Sequence, residues 1–450
     1  MAMNVERSTC VDLYQFADVF SLDNVQKTCL QWICRNFAEV ASSEDFCSLS
    51  LNQLTEIISH DELEVKEETT VWEAVVRWVQ HSREDRLHHL PSILPHIRFN
   101  LLTSAAGDLA AILEHPLVRE DPWNSEVIRN VVQKGNSNLK PRLGMTTEMA
   151  LLSNSRLGSN DLFLMNPLKG KYISCNYDPE DLPPFSAMTV TNDNSIYILL
   201  TNELEKKNQL SLFKYNHARN VWEHADISPI PKGPEYDQNY FEEHYLFEVD
   251  QILYYMAFDP DDNRPLLQMR KYNWHTDQWQ ECSQLQLDSS ISYSVALSCG
   301  SHLCFLTSTE VHLYDPIQDR WCERSLSSQL YFEVCTAVAM GTKIFCTDFN
   351  FSQTMVYDTE SDHWQKLQGW SNPENLDIEV LPSLFVLENQ LHMYLVCNDD
   401  QNEEICLVYV YYRSADAWRD IKATLPDKSY VGYASHCPVA RIYLPYLKEA

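Results

Sequence analysis

The apolar positions change their period about a third of the way along the chain. In "DLYQFADVF" the residues Leu13, Phe16, Ala17 and Phe20 fall at i, i+3, i+4 and i+7, the stripe of an amphipathic helix. "NVQKTCLQWICRNFAEV" repeats the spacing with Val25, Cys29, Trp32, Ile33 and Phe37. The serines of "SSEDFCSLS" can cap a further helix, and "LNQLTEIIS", "EETTVWEAVVRWVQHS" and "LHHLPSILPHI" follow with short polar breaks. Residues 10–135 therefore predict an α-helical array. From about residue 160 short strand-like runs replace the helical stripe: "SIYILL", "QILYYMAF", "HLCFLTS", "KIFCT" and "QLHMYLV".

Between these runs one frame recurs. It reads "YNHARNVW" at Tyr215, "YNWHTDQW" at Tyr272, "YDPIQDRW" at Tyr314, "YDTESDHW" at Tyr357 and "YYRSADAW" at Tyr411. Each copy has Tyr seven residues before Trp and Asp or Asn two residues before that Trp. The tryptophans stand at 222, 279, 321, 364 and 418, a mean spacing of 49 residues. A unit of roughly 50 residues with four strands is the signature of a β-propeller blade. In such a blade Tyr closes the third strand, six residues form a polar hairpin and Trp opens the outer strand. The Asp or Asn is expected to bond back to the turn's own backbone, and the two aromatics to fill the wedge between sheets. A degenerate sixth copy, "MNPLKGKY", spans Met165 to Tyr172, and the C-terminal "HCPVARIYLPYL" is a strand with no Tyr–Trp pair after it. The chain's two ends are thus expected to close a six-bladed ring, which removes free sheet edges.

Composition narrows the function. Glycine is scarce, 10 of 450 residues, so tight turns must be made with other side chains. A formal charge of −30 argues against nucleic acid and anionic membranes as partners. The fourteen cysteines include no CxxC and sit mostly in apolar runs, which predicts buried thiols of a cytoplasmic protein, with the nucleus also open. "MAMNVERSTC" is not a secretory signal, and no apolar run approaches the roughly 18 residues of a membrane span. Phosphate-loop, dinucleotide, zinc-protease, nucleophile-elbow and EF-hand motifs do not occur. Cys299 and Cys304 in "CGSHLC" read as one strand hairpin rather than a zinc site, and His88–His89 as a solvated helix end. No catalytic, cofactor-binding or metal residue is expected, and no cofactor.

The repeat resembles the kelch family of propellers, and the helical part resembles the BACK domain that precedes it in BTB–BACK–kelch proteins. The second likeness is carried by Asp61, Leu63, Val65, Glu67–Glu68, Ala74, Trp78, Arg83, Arg86 and Ile97-Arg98-Phe99. "PRLGMTTEM", Pro141 to Met149, is similar to the join of the kelch repeat and BTB domain-containing subgroup. The fold class expected is an α-helical BACK domain followed by an all-β kelch-type propeller. Its parts are a leader at 1–9 with the BTB domain absent, BACK at 10–135 with three-box helices at 10–39, a linker at 136–150, and the propeller at 151–450. The chain departs from the kelch pattern in having no Gly-Gly pair. The corresponding stretches are about Leu200-Thr201, Ala257-Phe258, Thr307-Ser308, Thr347-Asp348 and Val396-Cys397.

The resemblance implies substrate recognition for a cullin-3 RING ubiquitin ligase, or alternatively a kelch scaffold for cytoskeletal or signalling proteins with no ligase role. In the family, BTB supplies dimerisation and most of the cullin contact, and the three-box adds a hydrophobic groove. Without BTB this chain is expected to be a monomer that binds cullin-3 weakly or not at all. The positions matching the cullin side are Leu13, Phe16, Phe20 and Trp32. The target protein is expected on the propeller face formed by the b–c and d–a loops, near 202–209, 228–239, 259–265, 371–377 and 398–404. Candidate contacts there are Glu235, Asp237, Asp259, Asp261, Asp262, Arg264, Asp399, Asp400, Glu403 and Glu404. Their charge predicts a basic target segment.

Overall fold

The change of period becomes a change of architecture in the computed structural model. It describes residues 9–102, 107–133, 141–154, 161–178, 181–183, 185–200, 209–217, 219–231, 243–258, 265–287, 293–308, 310–324, 333–372, 376–378, 380–398, 404–423, 425, 430–431 and 437–447. Two units result, one built mainly on residues 1–147 and the other mainly on 148–441.

The first unit is helical. Its longer helices are α1 (Cys10–Val19), α2 (Asp23–Arg35), α3 (Leu51–Ser59), α4 (Glu68–His81), α5 (Gly107–Glu114) and α6 (Pro122–Gln133), joined by single helical turns. Ser50 caps α3 by accepting the Gln53 N–H, while the Gln53 side chain accepts the Ser50 N–H, a reciprocal box that satisfies two otherwise orphaned donors. On α4, Trp78 is buried and donates its indole N–H to the Leu49 carbonyl at 2.8 Å. Arg86 covers that indole with its guanidinium carbon 4.2 Å from the ring centroid and donates to the Trp78 and Cys47 carbonyls.

Glu68, the first residue of α4, is fully buried, and so is its partner Arg142. The Arg142 Nη2 lies 2.6 Å from the Glu68 Oε1, and the Arg98 N–H donates to the same oxygen at 2.8 Å. Further Arg142 donors go to the His60 and His96 carbonyls. Two charged side chains withdrawn from water are thus paired with each other and hydrogen-bonded to the surrounding backbone. Gly144 follows so closely against residues Glu64 and Val65 that an added Cβ would lie 2.5 Å from the Val65 nitrogen. The stretch Pro141–Met145, which resembles a linker in sequence, is thereby packed into the helical unit.

The second unit is a six-bladed propeller. Blades 1 to 5 run a, b, c, d from the inner strand outward. Their strands are Phe185–Val190, Ile196–Leu200, Leu212–Asn216 and Val221–His224; Glu243–Val249, Ile252–Phe258, Leu266–Asn273 and Gln278–Glu281; Ser294–Cys299, His302–Thr307, Val311–Asp315 and Arg320–Arg324; Thr336–Met340, Lys343–Thr347, Thr354–Asp358 and His363–Leu367; and Ser383–Leu387, Gln390–Asn398, Glu404–Tyr412 and Ala417–Asp420. In blade 6 the C-terminal strand Val439–Ile442 pairs with Thr147–Asn154, which is followed by Asp161–Asn166 and Lys171–Asn176. The two ends of the chain close the ring, with the Leu151 N–H bonded to the Pro438 carbonyl at 2.9 Å.

Every Tyr–Trp frame is a c–d hairpin in which the two aromatics are direct cross-strand partners: Tyr215 with Trp222, Tyr272 with Trp279, Tyr314 with Trp321, Tyr357 with Trp364, and Tyr411 with Trp418. Met165 pairs with Tyr172 in the same way. The role expected of the Asp or Asn needs correction. The turn's own backbone is held by the residue just after the Tyr: Asn273, Asp315 and Asp358 accept the N–H groups two residues on. The residue two before the Trp instead accepts the hydroxyl of its own Tyr, at 2.7 Å for Asp319 and Asp362. It also reaches the neighbouring blade, where Asp277 accepts the Ser228 N–H, Asp319 the Ser283 N–H and Asp416 that of Gln368. All five frame residues, Asn220, Asp277, Asp319, Asp362 and Asp416, lie at φ between 45° and 53°. Asp and Asn tolerate that left-handed backbone better than other side chains, which is how a glycine-poor chain makes its turns.

The cysteines are free thiols and all but Cys322 and Cys406 are buried. Among the described residues no helix is long and apolar enough to cross a membrane.

Candidate protein-binding surfaces

Two surfaces stand out. The first is on α1. Its core stripe is Cys10, Val11, Tyr14 and Ala17. Of the stripe read from the sequence, Ala17 lies in the core and Leu13 is half-buried against it, whereas Phe16 is 51% and Phe20 60% exposed, with ring centroids 4.5 Å apart. Val19 and Leu22 beside them are also exposed, at 75% and 42%. Trp32, on α2, packs half-buried against the core. The exposure is not fraying, because polar side chains fasten α1 down. Tyr14 donates its hydroxyl to Glu56, Gln15 donates to the Ser48 carbonyl and hydroxyl at 3.1 Å, and Asp18 accepts from Gln53 at 2.7 Å. A rigid helix thus presents a row of aromatic and aliphatic side chains to water.

The second surface is the propeller end at which strands b finish and strands a begin. The loop residues anticipated there, Glu235, Asp237, Asp259, Asp261, Asp262, Arg264, Asp399, Asp400 and Glu403, lie outside the described residues. Glu404 is the first residue of strand c of blade 5, in register with Asn398, and is exposed. The described residues add a polar arrangement between blades 2 and 3. Glu243 opens strand a of blade 2 half-buried, and one of its oxygens, Oε2, accepts the hydroxyls of Tyr245 and Ser294. Ser294 opens strand a of blade 3 in register with Thr307. Thr307 and Glu310 exchange backbone and side-chain bonds at 2.9 Å across the b–c turn, and the Glu310 carboxylate stands 2.9 Å from the His312 Nε2. Burial pushes the Glu243 carboxyl above its ordinary range, against the opposing pull of the two hydroxyls. No described Lys or Arg pairs with it.

The protein comparisons fit this architecture. Residues 10–107 match the family model described as BACK, "BTB And C-terminal Kelch". Over 481 residues the chain is 23% identical to kelch repeat and BTB domain-containing protein 8 of Xenopus tropicalis, covering all of this chain and 75% of that protein. It is 23% identical to human kelch repeat and BTB domain-containing protein 2 over 498 residues, 99% of this chain and 75% of the other. A stretch of 121 residues, 27% of this chain and 19% of its relative, is 36% identical to human kelch-like protein 6. The helical unit thus matches the BACK model, and the chain as a whole is similar to kelch repeat and BTB domain-containing proteins.

Within this BACK–kelch chain, Glu243, Glu310 and His312 are the site features that sequence reasoning missed. Glu243 does leave a signal, a charged residue opening the otherwise apolar strand "EHYLFEV". The partner that gives it meaning, Ser294, stands 51 residues later in another blade.

Proposed function

We propose that the chain is the substrate-recognition part of a cullin-3 RING ubiquitin ligase. The propeller end carrying the b–c and d–a connections holds a target protein, and the first two BACK helices face the cullin. The observation that carries this reading is the exposed Phe16–Phe20 row on a helix fixed in place by its own polar bonds. Contiguous apolar surface of this kind, maintained rather than buried, marks a protein contact. The net negative charge supports a protein target over nucleic acid.

The test is a titration with the N-terminal domain of cullin-3, using the chain alone and the chain joined to a family BTB domain. Exchanging both Phe16 and Phe20 for Asp is expected to weaken binding at least about 30-fold, the loss of a hot-spot pair. Thermal stability should stay within about 0.5 kcal/mol, because both side chains are exposed. Binding by neither form would reject the ligase role and leave the propeller as a scaffold's binding domain.

A further inference from the structure

Glu243 is hard to explain as a structural acid. The fully buried Glu68 has the cation Arg142, and Asp319 at a blade junction has the Ser283 N–H. Among the described residues Glu243 has neither. Its partners there are two neutral hydroxyls, both on Oε2, which leaves Oε1 open and no described counter-ion against the group. A half-buried carboxylate held in a fixed orientation with no counter-ion among the described residues is costly to the free protein. That cost is recovered when a cation arrives from outside.

We infer that Glu243, supported by Glu310, receives an arginine or lysine side chain of the protein bound at this end of the propeller; the inference rests on the proposed target-binding role of that end. Tyr245 and Ser294 aim the carboxylate from two adjacent blades, so its position is set before the ligand comes. Glu310 stands two strands from Ser294 in blade 3, on the turn bonded to Thr307, and adds a second carboxylate whose described side-chain partner is the His312 imidazole. The planar guanidinium fork suits a carboxylate with an open oxygen better than an ammonium does, so arginine is the preferred visitor.

The experiment selects binders for the intact chain from a randomised displayed peptide library, then measures the enriched peptides against variants. Wild type is expected to enrich peptides sharing an Arg or Lys. Replacing that residue by citrulline or norleucine, or making Glu243→Gln in the protein, should each weaken binding about tenfold. Glu243→Asp should retain the basic preference at lower affinity. Glu360→Gln, an exposed carboxylate on the blade 4 c–d hairpin at the opposite end, should leave it unchanged. Glu243→Gln keeps both hydroxyl acceptors, and a melting curve matching or exceeding wild type verifies its fold. Peptides without a basic residue, or equal binding to wild type and Glu243→Gln, overturn the inference while the propeller remains a binding domain. Sensitivity to Ile317→Asp, on an exposed hairpin of the opposite end, overturns the placement of the target as well. Retention of no peptide overturns both.

Discussion

Asp319 and Glu243 are carboxylates of neighbouring blades, one at each end of the propeller, and their surroundings push them in opposite directions. Asp319 accepts the Ser283 N–H from the preceding blade and the Tyr314 hydroxyl of its own, and these donors hold its carboxyl below the usual range. Asp277 repeats the pattern, with the Tyr272 hydroxyl first and the Ser228 N–H second. Among the described residues Glu243 has two hydroxyls as partners, and burial pushes its carboxyl up. At the hairpin end Asp277, Asp319 and Asp416 each find a backbone donor in the neighbouring blade, although the indole N–H groups of Trp222, Trp364 and Trp418 are buried there without a described partner. The other end carries one carboxylate whose requirements the described residues do not meet. The difference separates residues that hold the propeller together from a residue placed for something else.

The sharpest way to break the comparison is to put another carboxylate into the condition of Glu243. Arg142→Ala would leave Glu68 fully buried without its hydrogen-bonded cation. The expected cost is about 3–5 kcal/mol of stability in the helical unit, measured by denaturant unfolding. Replacing both partners together, Glu68→Leu with Arg142→Met, should recover most of it, because no orphaned charge remains. A loss below about 1 kcal/mol for Arg142→Ala would mean that unpaired buried carboxylates are tolerated here, and the argument from Glu243 would weaken with it.

Asp319→Ala comes next in size. It removes two hydrogen bonds and places a residue without a polar side chain at φ 48°. About 2–3 kcal/mol is expected, from the unsatisfied buried Tyr314 hydroxyl and the left-handed backbone. Asp319→Asn, which tolerates that backbone and keeps an acceptor, should cost less than half as much. The sign of the pH dependence follows from the lowered carboxyl. Its contribution is complete above the ordinary aspartate range and is lost as pH falls through the lower folded value. Urea melts from pH 6 down to pH 3 would show wild type and Asp319→Asn converging at the acid end.

How much of this was legible in the sequence depends on how far each interaction reaches along the chain. The Tyr–Trp frame is local: eight residues specify a hairpin and its register, so the blades and the ring closure follow from the repeat alone. The blade-to-blade bonds of Asp277 and Asp319 do not, because their partners Ser228 and Ser283 lie 49 and 36 residues upstream and share no motif. Asp416 and Gln368, 48 residues apart, pose the same difficulty. On α1 the helical period was correct, but two stripes satisfy it. Tyr14 and Ala17 face the core and Phe16 and Phe20 face water, and hydrophobicity alone ranks the wrong pair as core. That inversion is the same signal as the candidate cullin contact: a side chain too apolar for its position.

The smallest effect tests the comparison most directly. Because the folded state raises the Glu243 carboxyl above its unfolded value, the folded protein binds a proton there more readily than the unfolded chain does. Its ionised form therefore subtracts from stability at neutral pH, and the deficit disappears as pH falls through the raised value toward the ordinary glutamate range. Glu243→Gln is neutral at every pH and still accepts from Tyr245 and Ser294. It should melt slightly above wild type at pH 7, and the gap should close on acidification, opposite in sign to the Asp319 variant. A stabilising substitution that also removes the preference for basic peptides would show stability given up for binding at that one carboxylate. A variant less stable than wild type at pH 7 would instead make Glu243 a structural residue like Asp319, and the two ends of the propeller would differ in position but not in kind.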